Sequence, residues 1–516
     1  MAKSNTGQWP RQIPYIIASE ACERFSFYGM RNILTPFLMT ALLLSVPEHL
    51  RAGEAKDVFH SFVIGVYFFP LLGGWLADRF FGKYHTILWL SLLYCVGHAF
   101  LAVFEDSKTG FYTGLFLIAL GSGGIKPLVS SFMGDQFDKS NKSLAQKAFD
   151  MFYFTINFGS FFASLTMPLL LKHFGPAVAF GIPGILMFIA TVFFWAGRHR
   201  YVHMPAEPKD PNGFLPVLKT ALLTPAAEGR SGLFIAAIGC VLALVALGNM
   251  PTLGLVTALC LALVLVMGFV GVGASMQLER ARRTHGDEAV EGVRSVMRIL
   301  VLFALVTPFW SLFDQKASTW ILQANEMTKP EWFEPAMMQA LNPLLVMLLI
   351  PFNNFVLYPA LERGGVKLTA LRKMAAGIAF SGLSWIVIGS IQLVMDGGSA
   401  VSIMWQILPY ALLTFGEVLV SATGLEFAYS QAPRAMKGTI MSFWTLSVTV
   451  GNLWVLLANA SVKSEGFSSW IAGTGMSVTA FQMFFFAGFA LLAAAIFALY
   501  ARSYTMQDHY RASENG

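Results

Sequence analysis

The stretch ASEACERFSFYGMR, residues 18–31, decides how the chain reads. It carries Glu20, Glu23, Arg24 and Arg31 inside an otherwise apolar run from Ile13 to Val46. A charged side chain at mid-bilayer costs at least roughly 2.5–3.5 kcal/mol, so such residues face a polar interior and mark a pathway. At helical spacing Glu20, Glu23, Arg24, Phe27 and Arg31 fall near one stripe, because i, i+3, i+4 and i+7 share a face. That face cannot point at lipid.

Outward from this stretch the chain is apolar almost throughout. Of its 516 residues 56% are hydrophobic and only 12% charged, with a mean hydropathy of +0.61, whereas soluble domains run nearer a quarter charged. Barrel strands would need short alternating segments, and the apolar runs here are long and do not alternate. The reading is an all-α integral membrane protein. Its net charge of +6 is then a topology signal rather than a nucleic-acid footprint.

Apolar segments of spanning length fall at about 14–46, 57–78, 85–104, 111–134, 147–171 and 178–197. Two more lie near 232–249 and 252–277, and six near 298–322, 336–360, 370–395, 402–430, 438–461 and 475–501. That predicts fourteen helices: a six-helix bundle over 1–200, a linker with two further helices over 201–290, and a second six-helix bundle over 291–516. The 232–277 pair has no intramembrane charge and reads as lipid-facing packing. With both termini cytoplasmic, most Lys and Arg lie inside. The outer loops hold Arg51, Lys56, Lys108, Lys172, Lys329 and Lys463, and the spans hold Arg24, Arg31, Lys126 and Lys316. This is the positive-inside bias. No short apolar core with a small-residue cleavage site precedes the first span, which is expected to remain as an anchor.

Polar groups recur mid-span in both halves. The first half has His60, Tyr67, Lys126 and Asn157 besides the Glu20/Glu23/Arg24 cluster. The second has Asp314, Lys316, Asn342, Glu417, Glu426 and Trp444. Buried ions must be paired or solvated. Lys126, in GSGGIKP, therefore wants a carboxylate, with Glu20 or Glu23 as the candidates. On the residues alone, this set either lines a pathway or pins helices together. His60 either carries a proton or bonds two helices. In the loop GGWLADRFFGKY (73–84), Asp78 and Arg79 could latch one conformation. Cys22, Cys95, Cys240 and Cys260 show no metal-ligand or disulfide spacing. No HExxH or nucleophile elbow suggests an enzyme.

These residues, taken in order, resemble the proton-dependent oligopeptide transporter family of the major facilitator superfamily. The resemblance rests on ExxERFxxYG at Glu20–Gly29, GGWLADRFFGKY, GSGGIKP at 121–127, GDQF at 134–137, FYFTINFGS at 152–160, FWSLFDQ at 309–315, QALNPLL at 339–345 and LTFGEVLVSATGLEFAYSQAP at 413–433. It implies the major facilitator fold and symport of di- and tripeptides with protons across a lipid bilayer. No cofactor or nucleic acid is implied, and a monomer is expected to suffice. It implies proton coupling through Glu20, Glu23, Arg24, Lys126, His60 and Asp314. Peptide binding would fall to Arg24, Tyr28, Tyr67, Lys126 and Asn157 on one side and to Asn342, Glu417 and Trp444 on the other, with gating by Arg31, Asp78 and Arg79. The short loop MDGGSAV and the two inserted helices resemble prokaryotic members, implying a bacterial inner membrane. The alternative is the same fold moving a non-peptide solute or anion. One departure is Phe27, where the family motif usually has Tyr, and altered selectivity is the expected result.

Overall fold

The computed structural model describes residues 9–137, 142–203, 211–225, 229–431, 437–463 and 465–504. Helices dominate, and among the described residues the only β-pairing is an isolated bridge between Thr328 and Ser402. Among the described residues ten helical runs are long and apolar enough to cross a membrane. Three of them, Glu48–Val103, Met151–Ala196 and Thr257–Glu326, are long enough for two crossings each. The charged first helix stands outside those ten and completes fourteen.

In chain order the first half contains α1 (Ile13–Phe37), α2 (Glu48–Phe68), α3 (Gly82–Val103) and α4 (Lys108–Gly134). The 55 residues Lys142–Ala196 break at Gly175 into α5 (142–174) and α6 (176–196). Gly175 has φ of 80°, a backbone conformation that residues with a Cβ rarely adopt. Pro176 follows and cannot donate to the preceding turn. The linker carries α7 (Phe214–Leu223), α8 (Ser231–Gly248) and α9 (Leu255–Gln277). The second half comprises α10 (Arg282–Asp314), α11 (Thr319–Glu326), α12 (Leu341–Phe352), α13 (Ala370–Asp396), α14 (Ile407–Gln431), α15 (Lys437–Val462) and α16 (Val478–Ser503). Ser107, Thr369 and Ser477 accept from the backbone amides of Gly110, Arg372 and Ala480, capping α4, α13 and α16.

Two hydrophobic cores form. One gathers buried residues from Ile13 to Tyr201, the other from Phe214 to Phe497. The cores touch at few points: Ala317 joins the first and Tyr67 packs against the second. The linker pair differs from a purely lipid-facing role. Cys260 on α9 is buried against Ile64 of α2 and Leu453 and Leu456 of α15, so α9 covers a seam where the two halves meet. Its apolar face fits a protein seam as well as lipid, because both are hydrocarbon.

Candidate functional site

Three clusters of buried ions lie along the region between the halves. The first belongs to the amino-terminal half. Arg24 on α1 places Nε 2.6 Å from Glu20 Oε1 and 2.8 Å from Glu23 Oε2, with all three side chains buried. Glu20 and Arg24 are an i, i+4 pair, neighbours on the helix surface by construction. Lys126 is placed differently from the expected carboxylate pairing. Its ammonium lies 3.2 Å from the centroid of the Phe27 ring and 5.3 Å from that of Tyr67. Among the described residues no carboxylate oxygen comes within salt-bridge reach of it. Glu23 and Glu20 act on it at longer range. The physical reason is that Arg24, on the same helix as both acids, already lies against each of them, at 2.6 and 2.8 Å, while the electron-rich ring faces offer Lys126 a seat.

The second cluster joins the halves. Arg31 Nη2 is 2.5 Å from Asp314 Oδ1, and Asn452 Nδ2 donates to Asp314 Oδ2 at 2.7 Å. His60 Nδ1 lies 2.6 Å from Asn452 Oδ1, and His60 Nε2 is 2.9 Å from Ser318 Oγ. Because the Asn452 amide nitrogen is turned to Asp314, its oxygen must accept, so His60 carries a proton on Nδ1. In the neutral ring Nε2 then accepts from the Ser318 hydroxyl. A second proton at Nε2 would require Ser318 to turn to the Gln315 carbonyl, 3.4 Å away. Asn452 is the residue sequence reading missed. Its one signal is an amide inside the apolar run SVTVGNLWVLL.

The third cluster belongs to the carboxy-terminal half. Lys316 Nζ donates to Asn342 Oδ1 at 2.8 Å and lies 3.3 Å from the Phe313 ring centroid. Asn342 Nδ2 donates to Glu417 Oε2 at 2.5 Å and to Thr414 Oγ1 at 3.0 Å. Asn342 thus bridges a cation and an anion. Nearby, Trp444 meets Trp310 edge to face at 6.0 Å and Phe303 at 5.3 Å.

With His60 neutral and every other member ionised, each cluster sums to zero: Glu20 and Glu23 against Arg24 and Lys126, Asp314 against Arg31, Glu417 against Lys316. A zwitterion entering this region adds no net charge, whereas a proton adds one full charge to a low-dielectric site. The arrangement can therefore exchange internal ion pairs for ligand ones and respond to a proton by breaking a pair.

Other expected residues fall as follows. Tyr28 and Tyr67 are half-buried near Arg24 and Lys126. Asn157 is buried and donates to the Tyr153 carbonyl at 3.0 Å. Arg79 is exposed within the wide turn Ala77–Phe81, and the side chains of Asp78 and Glu426 lie outside the described residues. Among the described residues, the ion pair in this region is Lys83 with Asp135, at 2.7 Å. Gln136 of GDQF clamps the chain after α6, accepting from Val202 N at 2.8 Å and donating to its carbonyl at 3.1 Å.

Among the described residues, every ion pair joining the two halves lies toward the end opposite the termini or descends from it. Asp57 takes Lys463 at 2.5 Å and Asn459 at 3.1 Å, and Lys172 takes Glu334 at 2.6 Å. Deeper come His60 with Asn452, and Arg31 with Asp314. Thr35 Oγ1 donates to the Ala317 carbonyl at 2.8 Å. The polar ladder between α2 and α15 closes that end.

The chain shares its structure with known proteins. A crystal structure of the POT family transporter PepTSo superposes with a TM-score of 0.95 at 84% identity, covering 98% of this chain and 100% of that one. A crystal structure of an auto-inhibited POT family peptide transporter gives 0.95 at 66% identity, covering 98% and 99%. "Peptide transporter family 2" of Caenorhabditis elegans is 33% identical over 409 residues, which are 75% of this chain and 48% of that protein. The chain thus spans about half the length of the curated relatives it matches. The POT family profile, PTR2, matches residues 84–469. With a multi-pass helical architecture, two separately cored halves and this profile across most of its length, the chain belongs to the POT family.

Proposed function

We propose that this protein is a symporter that carries di- and tripeptides into the cell with protons. Residues 1–200 and 291–516 would rock as bodies about the three ion clusters, in a bacterial inner membrane with both termini cytoplasmic. The observation that carries the reading is the opposed chemistry of the first and third clusters. Arg24 and Lys126 present cations from one half, and Glu417, held by Asn342, presents an anion from the other. A peptide has a carboxylate at one end and an ammonium at the other, so it can bridge these groups. Charge-assisted hydrogen bonds of this kind are roughly twice as strong as neutral ones.

Protons enter through the pairs that hold the state. Protonating Glu20 or Glu23 loosens Arg24, and protonating Asp314 or His60 loosens the ladder between the halves. With the termini inside, the closed end is the outer one, so the described conformation is one from which peptide leaves inward. Names of relatives support the peptide as cargo.

The test is uptake of labelled dialanine into proteoliposomes, with and without an inward proton gradient, for wild type and Lys126→Ala. Accumulation driven by the gradient and lost in Lys126→Ala is expected. Equal uptake with and without the gradient overturns coupling. Failure to move any dipeptide leaves a non-peptide solute as cargo.

A further inference from the structure

After the tight turn at Gln315–Ala317 the chain continues as α11, only eight residues long. A helix this short owes its place to tertiary contacts rather than to its own propensity. Ser318, at its start, has φ of −129° and ψ of −77°, outside the helical range, so α10 does not run straight on into α11. The Ser318 hydroxyl is the partner of His60 Nε2, at 2.9 Å. Whatever fixes α11 therefore fixes the distance from Ser318 to His60.

The polar ties of α11 to its own half run along a line of buried glutamines. Gln406, just before α14, donates from Nε2 to the Trp320 carbonyl at 3.0 Å and to Gln323 Oε1 at 3.1 Å. Gln323 Nε2 donates to the Ile388 carbonyl at 3.2 Å and to Gln392 Oε1 at 3.0 Å, both on α13. Gln392 Nε2 donates to Asp396 Oδ1 at 2.9 Å, and Ser477 Oγ, the cap of α16, donates to Asp396 Oδ2 at 2.5 Å. The direction of this line is forced. A backbone carbonyl and a carboxylate only accept, so Gln323 turns its nitrogen to Ile388 and Gln392 turns its nitrogen to Asp396. The oxygens of both are left to receive the preceding donor. All three glutamines are 5% exposed or less. In such surroundings each bond of a chain strengthens the next, and a missing one is costly. Trp320, one turn before Gln323 on the same face, adds an edge-to-face contact with Tyr410 at 4.9 Å.

We propose that Gln323 is a positioning residue for the closed end. Through α11 it holds the Ser318 hydroxyl against His60 Nε2, so that α11 moves with the carboxy-terminal half instead of bending at the break. The inference rests on the reading of His60 as a proton-linked group. The groups around His60 are Asn452 on α15, Asp314 on α10, Arg31 on α1 and Lys56 on its own α2, besides Ser318. Among the described residues none of these five hydrogen-bonds to Gln323, so its effect on His60 passes through the placing of α11. Ser318 donates to the neutral ring. Drawing it away leaves that ring without a donor at Nε2, and the ring then holds an added proton more tightly.

The test uses the full chain in proteoliposomes, with dialanine counterflow and gradient-driven uptake measured across pH for wild type, Gln323→Leu, Ser318→Ala and the double variant. Gln323→Leu is expected to keep counterflow within about twofold. It should move the midpoint of driven uptake upward by about half a pH unit, a threefold change in proton affinity. Ser318→Ala should move it the same way. The double variant should move it no further than the larger single shift, because both changes act through one contact. An unmoved Gln323→Leu midpoint beside a gradient-dependent wild type overturns this inference alone, as does a double variant in which the two shifts add. A wild type indifferent to the gradient overturns the coupling reading and this inference together. Should Gln323→Leu melt early, amide hydrogen exchange of the wild-type protein carries the test. Exchange over residues 319–326 as slow as that over α13 is expected, and exchange as fast as that of the exposed loops overturns the proposal.

Discussion

The Lys126 ammonium rests 3.2 Å from the centroid of the Phe27 ring, on the helix that carries both of the acids it was expected to pair with. The ring holds the cation without neutralising it. Under the proposed function, a peptide carboxylate would meet a lysine that no carboxylate pair has to release first. A desolvated cation–π contact is worth about 2 kcal/mol. Phe27→Leu should free Lys126 to fall onto Glu20 or Glu23 and raise the KM for dialanine severalfold. Phe27→Tyr keeps the ring and should change the ranking among dipeptides. Competition assays against labelled dialanine check both, and an unchanged KM in Phe27→Leu would show that the ring contact is incidental.

Asn452 is the joint of the ladder, since its amide serves Asp314 and its oxygen serves His60. Asn452→Leu leaves a buried carboxylate and a buried imidazole each short of a partner, a loss of roughly 1–3 kcal/mol for each group. The closed end should open more often. Cysteines introduced near that end should then react faster with an impermeant maleimide, and driven uptake should fall at least tenfold. Labelling at the wild-type rate would count against the ladder as a lock.

The Asp57–Lys463 pair is a milder tether. Its side chains are partly exposed, at 29% and 42%, and exposed pairs contribute about 0.2–1 kcal/mol. Asp57→Asn should alter uptake by less than about threefold at physiological salt, with the difference shrinking as salt rises. The double exchange of Asp57→Lys with Lys463→Asp should restore the wild-type rate. A tenfold loss in the single variant would mark this pair as central.

Trp444 is seated by a missing side chain. A Cβ on Gly424 would overlap the far edge of the Trp444 indole, so the ring lies directly on the α14 backbone. Gly424→Ala must push the ring off the α14 backbone, against Trp310 and Phe303. Under the proposed function, a rise in KM for bulky dipeptides beyond that for dialanine is expected from uptake kinetics, and equal changes for both would mean that the ring position does not govern side-chain size.

The linker network behaves differently with pH. Hydrogen bonds from Arg282 and Arg294 hold the Glu279 carboxyl down at about 2, against an ordinary 4.5. A folded value below the unfolded one stabilises fully above about pH 4.5 and loses its effect as the pH falls through about 2. The melting temperature of the purified protein should therefore show no contribution from this group between pH 5 and 8. The Glu279→Gln difference should be small and shrink with salt, because the carboxyl is 61% exposed. A wild-type minus Glu279→Gln difference that changes between pH 5 and 8 would show that another group governs it.

Much of the architecture was legible in the sequence. Spanning length, charge bias between loops and the stripe of charge in residues 18–31 are local properties. Each is set by bilayer thickness or helix period alone, without reference to a partner. The motifs around Lys126, Asp314 and Glu417 likewise marked which residues belong between the halves. The choice of partner was not legible. Glu20 and Glu23 could each satisfy Arg24 or Lys126, and only the fold, by holding both acids against Arg24 and laying Lys126 over Phe27, decides between them. Asn452 looked like any amide in an apolar run until α15 lay against α2 and α10. The seam under Cys260 was hidden for a related reason, because a face that suits lipid suits another helix equally well. Which residues must avoid lipid follows from charge and helix period along the chain. What each of them meets follows from packing, because a buried charge chooses its partner by distance and competition, and neither is a property of its neighbours in the chain.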